Sequence, residues 1–85
     1  MEYKEAKAIM MERFGMSDLF SQEELEFINS SIIEDKKTGA AILKLGALNQ
    51  IQEKGMIKNF YTVCKKYNYF PDWLNNVANR VDCID

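Results

Sequence analysis

Tyr3, Ala6, Met10 and Phe14 recur at the three- and four-residue spacing of one helix face, and Glu2, Lys4, Glu5, Lys7, Glu12 and Arg13 fill much of the surface between them. This pattern predicts a first helix over residues 2–14, ended by Gly15 in a left-handed conformation. The next start signal is sharper. Ser21 is placed to cap the backbone at Glu24, the Glu24 carboxylate can reach back to Ser21, and Phe20 is placed to staple onto Leu25. A second helix should therefore begin at Ser21, with Leu25, Ile28 and Ile32 as its apolar stripe. Glu23 and Glu24 sit in its first turn, where the helix dipole favours negative charge.

Asp35-Lys36-Lys37-Thr38-Gly39 breaks the pattern with five polar or flexible residues. From Ala40 to Leu48 the chain is apolar except at Lys44 and Gly46, and the run continues through Ile51 to a stop at Gly55. This reads as a central helix buried on more than one side. A glycine at position 46 costs such a helix about 1 kcal/mol relative to alanine, which close approach by another helix would offset. The competing reading is a β-hairpin in which 32–34 pairs with 41–43 across the Asp35–Gly39 turn, since glycine in the last loop position suits a bulged connection. The length of the leucine- and alanine-rich stretch favours the helix.

Ile57, Phe60, Tyr61, Cys64 and Tyr67 lie in one arc of a helical wheel, with Lys58, Lys65 and Lys66 on the other side, so a fourth helix should run from about Met56 to Tyr67. Pro71 restricts Phe70 to an extended conformation and suits the first position of a fifth helix, which would carry Trp73 or Leu74, Val77, Ala78 and Val81 inward. The fold class expected from these elements is all-α, a compact bundle of about five short helices forming one domain over residues 1–85. The alternative is α+β, with a small hairpin around residues 32–43.

Eighty-five residues, 47% of them hydrophobic, describe a folded domain whose core is adequate without being generous, and a chain of this size buries roughly 60–65% of its unfolded surface. The net charge of −2 hides a strong asymmetry. Residues 1–35 carry nine acids against three bases, residues 36–66 one acid against seven bases, and residues 67–85 three acids against one base. Such blocks either attract one another or present separate acidic and basic faces. Two cysteines, Cys64 and Cys83, make no disulfide framework and fit a reduced, cytoplasmic setting. The charged N-terminal turns match neither a signal peptide nor a membrane span, and the formal glycosylation triplet at Asn29 is not expected to be used.

Little in the chain points to catalysis. Histidine is absent, which removes the commonest general base at neutral pH and the commonest transition-metal ligand. Cys64 lies beside Lys65 and Lys66, whose charge would lower a thiol's pKa, but its place on the apolar arc marks it as a buried structural cysteine. Two distant cysteines cannot build a zinc centre, and the acids do not follow a calcium-loop pattern. The isolated glycines form neither a dinucleotide fingerprint nor a phosphate loop. No catalytic residue, metal site or cofactor is expected.

The informative segment is elsewhere. Six of the ten aromatic residues fall between Phe60 and Trp73, interleaved with lysines. Rings give large apolar contact area at low rotamer cost, and tyrosine and tryptophan are typical interface anchors. The expected function is a non-enzymatic protein–protein interaction module, a regulator, adaptor or inhibitor, whose partner-binding residues are Tyr67, Tyr69, Phe70 and Trp73 with Lys65 and Lys66 alongside. Tyr69 is the ring most expected outside the core. The partner is another protein of unspecified identity, and a homodimer that completes the core is an open alternative. The rival class is a small nucleic-acid-binding protein using Lys58, Lys65, Lys66 and Tyr61, with Ala41–Glu53 and Met56–Lys66 drawn as a helix-turn-helix. A pI near 5.1 and an acidic N-terminal third weigh against it. A third reading takes Asp18, Glu23, Glu24, Glu26 and Glu34 as an acidic face that mimics nucleic acid in a basic groove.

Overall fold

The computed structural model describes residues 2–71. The chain divides into two compact units, Met1–Lys44 and Leu45–Asp85. Among the described residues it forms four helices and one two-stranded antiparallel sheet. The architecture is mostly helical with a small hairpin, which corrects the all-α expectation in favour of its alternative. The expected fifth helix, with Trp73, Leu74, Val77, Ala78 and Val81, lies outside the described residues.

In the first unit, helix α1 covers Tyr3–Met16 and runs straight through Gly15. The expected glycine stop is replaced by two polar residues. The Ser17 hydroxyl donates to the Phe14 carbonyl at 2.6 Å, and Asp18 takes the left-handed conformation at φ 60°, which a short polar side chain tolerates better than most. Met10 and Phe14 are buried, and the Phe20 ring meets Phe14 edge-on at 5.7 Å. Helix α2, Gln22–Ser31, begins as expected. The Glu24 amide donates to Ser21 Oγ at 3.2 Å, and the Ser21 amide donates to Glu24 Oε1 at 2.8 Å.

The second helix ends before Ile32, the last residue of its expected stripe. Ser30 and Ser31 both donate their hydroxyls to the Phe27 carbonyl, at 2.7 and 2.9 Å, which competes with regular helix propagation. Two β-branched residues follow. Strand β1, Ile32–Glu34, pairs with β2, Ala41–Leu43, in the register Ile32↔Leu43, Ile33↔Ile42 and Glu34↔Ala41. Hydrogen bonds from Lys44 to Ser31 (2.7 Å) and from Asp35 to Ala40 (2.8 Å) bracket the ladder. The turn is held by Asp35, whose carboxylate accepts from the Lys37 amide and the Thr38 hydroxyl, both at 3.0 Å. Gly39 at φ 73° closes it with its amide on the Asp35 carbonyl. Glu34 is thus a strand residue and Asp35 a turn residue. Ile32 and Leu43 face each other with 1% and 3% exposure, and the Tyr3 hydroxyl donates to the Ile32 carbonyl at 3.1 Å, tying the start of α1 to the hairpin. Burial of that pair outweighs the helix propensity of Ala41–Leu43.

In the second unit, the central helix is correspondingly short. Helix α3 covers only Ala47–Glu53 because Gly46, at φ 83°, breaks the backbone ahead of it. No neighbouring atom lies within 4 Å of a Cβ built on Gly46, so the glycine serves the left-handed turn and not a close helix contact. The expected stop at Gly55 is present. The Gly55 amide donates to Gln52 and the Met56 amide to Ile51, both at 3.0 Å, in a Schellman pairing. Helix α4, Ile57–Tyr67, matches the expected span. Its core side consists of Ile57, Phe60, Val63 and Cys64, which are buried along with Ala47, Leu48, Ile51 and Met56.

Candidate functional site

The aromatic segment is organised by the way α4 ends. Asn68 adopts the left-handed conformation at φ 55°, donating its amide to the Lys65 carbonyl at 3.4 Å, and the Tyr69 amide donates to the Cys64 carbonyl at 2.9 Å. This is the same Schellman pairing as at Gly55, with asparagine in place of glycine. The chain reverses there, and Tyr69 and Phe70 turn back along the helix they follow. Asparagine directly after an apolar helical arc is the signal that sequence reasoning passed over.

The reversal stacks the rings into a series. Phe70 lies nearly parallel to Phe60, 6.5 Å between centroids and 12° between planes. Tyr69 is 6.4 Å from Phe70 and 5.8 Å from Tyr67. Phe60 is 1% exposed, whereas Tyr67, Tyr69 and Phe70 are half-buried, so the series runs from core to surface. Phe70 sits at φ 52°, not in the extended conformation expected before Pro71. A left-handed phenylalanine costs about 1–3 kcal/mol, which the stacking on Phe60 helps to offset. Trp73 lies outside the described residues.

Lysines line the same stretch. The Lys65 ammonium lies 5.7 Å from the centre of the Tyr61 ring, and that of Lys66 lies 5.4 Å from the centre of Tyr67. Each such contact is worth about 0.5–1 kcal/mol on a surface. Lys58, Tyr61 and Lys65 follow one another at three- and four-residue steps along α4, so three of the four residues of the rival nucleic-acid reading share a face, while Lys66 lies off that line over Tyr67. The helix pair drawn for that reading keeps its second member but loses the first half of its first, because 41–43 is strand. The remaining lysines are distributed differently: Lys36 and Lys37 sit in the hairpin turn, Lys44 follows β2, and Lys54 follows α3. The acidic residues are likewise spread, with Asp18 before α2, Glu23 and Glu26 exposed on it, Glu24 engaged in its cap, and Glu34 on β1.

Cys64 is 1% exposed, and burial pushes its thiol well above the ordinary range, opposite to the lowering that neighbouring Lys65 and Lys66 would give. Among the described residues no three His, Cys, Asp or Glu side chains gather where they would hold a metal ion, and no helix is long and apolar enough to cross a membrane. An open groove of about 640 Å³ in the first unit is lined by Glu2, Tyr3, Lys4, Glu34, Thr38 and Gly39, a mixed-charge site that no motif had indicated. Comparison with family models, curated proteins and solved structures finds no match for the chain.

Proposed function

We propose that the protein is a non-enzymatic protein–protein interaction module that engages another protein through Tyr67, Tyr69 and Phe70, with Lys65 and Lys66 at the rim. The observation that carries this reading is the ring series anchored on buried Phe60. It holds three aromatic side chains half-open to solvent in a fixed arrangement, which lowers the ordering cost of binding. Partly covered aromatic rings beside exposed cations are the composition of an interface centre and its rim. The buried, protonated Cys64 supports the non-catalytic part of the reading.

The test is capture from native lysate by the tagged full chain and by its Tyr69→Ala variant, with nuclease treatment and a moderate-salt wash. A partner retained by the wild type and reduced about tenfold or more by Tyr69→Ala is the expected result. The second reading rests on the Lys58–Tyr61–Lys65 line. It expects everything captured to be lost on nuclease or salt treatment, because phosphate contacts weaken steeply with ionic strength.

A further inference from the structure

We propose that the segment received at the end of α4 is an acidic peptide, its carboxylates meeting Lys65 and Lys66 and its apolar side chains lying along Tyr67 and Tyr69. This rests on the interaction-module reading and adds the partner's chemistry. The eleven residues of α4 include Lys58, Lys65 and Lys66 and no aspartate or glutamate. Lys65 and Lys66 are exposed, and their ammonium groups lie over tyrosine rings, with no carboxylate of the described residues paired to them. A cation held over a ring keeps N–H donors for an incoming acceptor and is already confined to the place where that acceptor arrives. Carboxylates supplied by a partner would complete these two sites, and the half-buried rings of Tyr67 and Tyr69 next to Lys66 supply the apolar contact that surface charge pairs alone do not.

The same geometry favours a peptide over stacked bases. Tyr67 has the Lys66 ammonium on its ring and Tyr69 stacked at 5.8 Å, and Tyr61 carries Lys65. A base stacking on Tyr67 would compete with Lys66 and Tyr69 for its faces, whereas a carboxylate needs only the ammonium. A short peptide also brings few charges toward a chain whose net charge is −2, while a polynucleotide brings many.

The experiment selects a display library of random peptides of about twelve residues on the immobilised full chain, in parallel with Lys65→Glu/Lys66→Glu and with Tyr69→Ala. Circular dichroism checks that each variant keeps its helices. The expected result is enrichment of peptides combining Asp or Glu with apolar residues, whose synthetic forms bind the double-glutamate variant about tenfold or more weaker. Their affinity should also fall several-fold between about 50 and 300 mM salt, and on replacement of their acids by Asn and Gln. Peptides lacking acidic enrichment but still dependent on Tyr69 overturn the acidic partner and leave the interaction module standing. Acidic peptides that bind the double-glutamate variant undiminished overturn the assignment to Lys65 and Lys66. Absence of any enriched peptide overturns both, and binding of a labelled thymidine oligonucleotide in its place transfers the lysine face to nucleic acid.

Discussion

Gly15 and Gly46 differ in the one respect that decides what a methyl group does there. Neither has a neighbouring atom within 4 Å of a built Cβ, but Gly46 is held at φ 83° while Gly15 is an ordinary helical residue inside α1. Gly15→Ala should therefore stabilise the protein by about 0.5–1 kcal/mol, and Gly46→Ala should destabilise it by about 1–2 kcal/mol, read as opposite shifts of the urea midpoint. Cys64 supplies a second residue-level prediction. Its thiol pKa is raised by burial in the folded chain, so the stability it contributes is complete below the unfolded thiol's value of about 8.5 and is lost as pH climbs beyond it. Unfolding measured from pH 8 to 10 should show wild type losing up to about 1.4 kcal/mol per pH unit relative to Cys64→Ala. At this scale the sequence was informative about burial. Cys64, Phe60 and Ile57 lie on the core side as their spacing required, and Val63 joins them, while Tyr61 and Tyr67 mark the margin of that face.

Elements whose ends are set by neighbouring side chains were legible. The Ser21–Glu24 capping box starts α2 at the expected residue, and α4 keeps its expected span, because both depend on contacts within about four positions of the chain. The hairpin was harder to read. Ala41-Ile42-Leu43 leans toward helix by local propensity, and the strand came from the turn before it and from the Ile32–Leu43 pair it completes. Asp35 holds that turn through two side-chain hydrogen bonds. Asp35→Ala should cost about 1 kcal/mol in thermal or urea unfolding and weaken cross-strand nuclear Overhauser effects between Ile33 and Ile42, while those within α2 persist. Loss of the α2 signals together with the hairpin's would show that the turn supports the helix as well.

For the whole molecule, the described aromatic residues divide into those fully buried, such as Phe14 and Phe60, and those half-open to solvent, such as Tyr67, Tyr69 and Phe70. Phe60→Ala should cost about 3–5 kcal/mol, a large part of the total stability of a domain this size. Lys65→Glu with Lys66→Glu should cost less, about 1–2 kcal/mol, since it removes two exposed lysine–ring contacts and the favourable charge in the last turn of α4. Thermal unfolding of the two variants checks this, and strong destabilisation by the lysine pair would make that face structural. The charge blocks were plain in the sequence, yet their boundaries do not follow the units. Lys36, Lys37 and Lys44 belong with the acidic first unit, leaving α4 as an acid-free helix. What the sequence by itself determined is what short-range chemistry governs: the start of α2, the extent of α4, the stop at Gly55, the lack of histidine, and the crowding of rings near residue 70. Only the tertiary structure decided that 32–34 and 41–43 pair as strands, that Gly46 turns the chain ahead of a short α3, and that Asn68 folds Tyr69 and Phe70 back toward Phe60. Each of these depends on burial between residues distant in sequence or on a left-handed backbone, and hydrophobic periodicity carries neither.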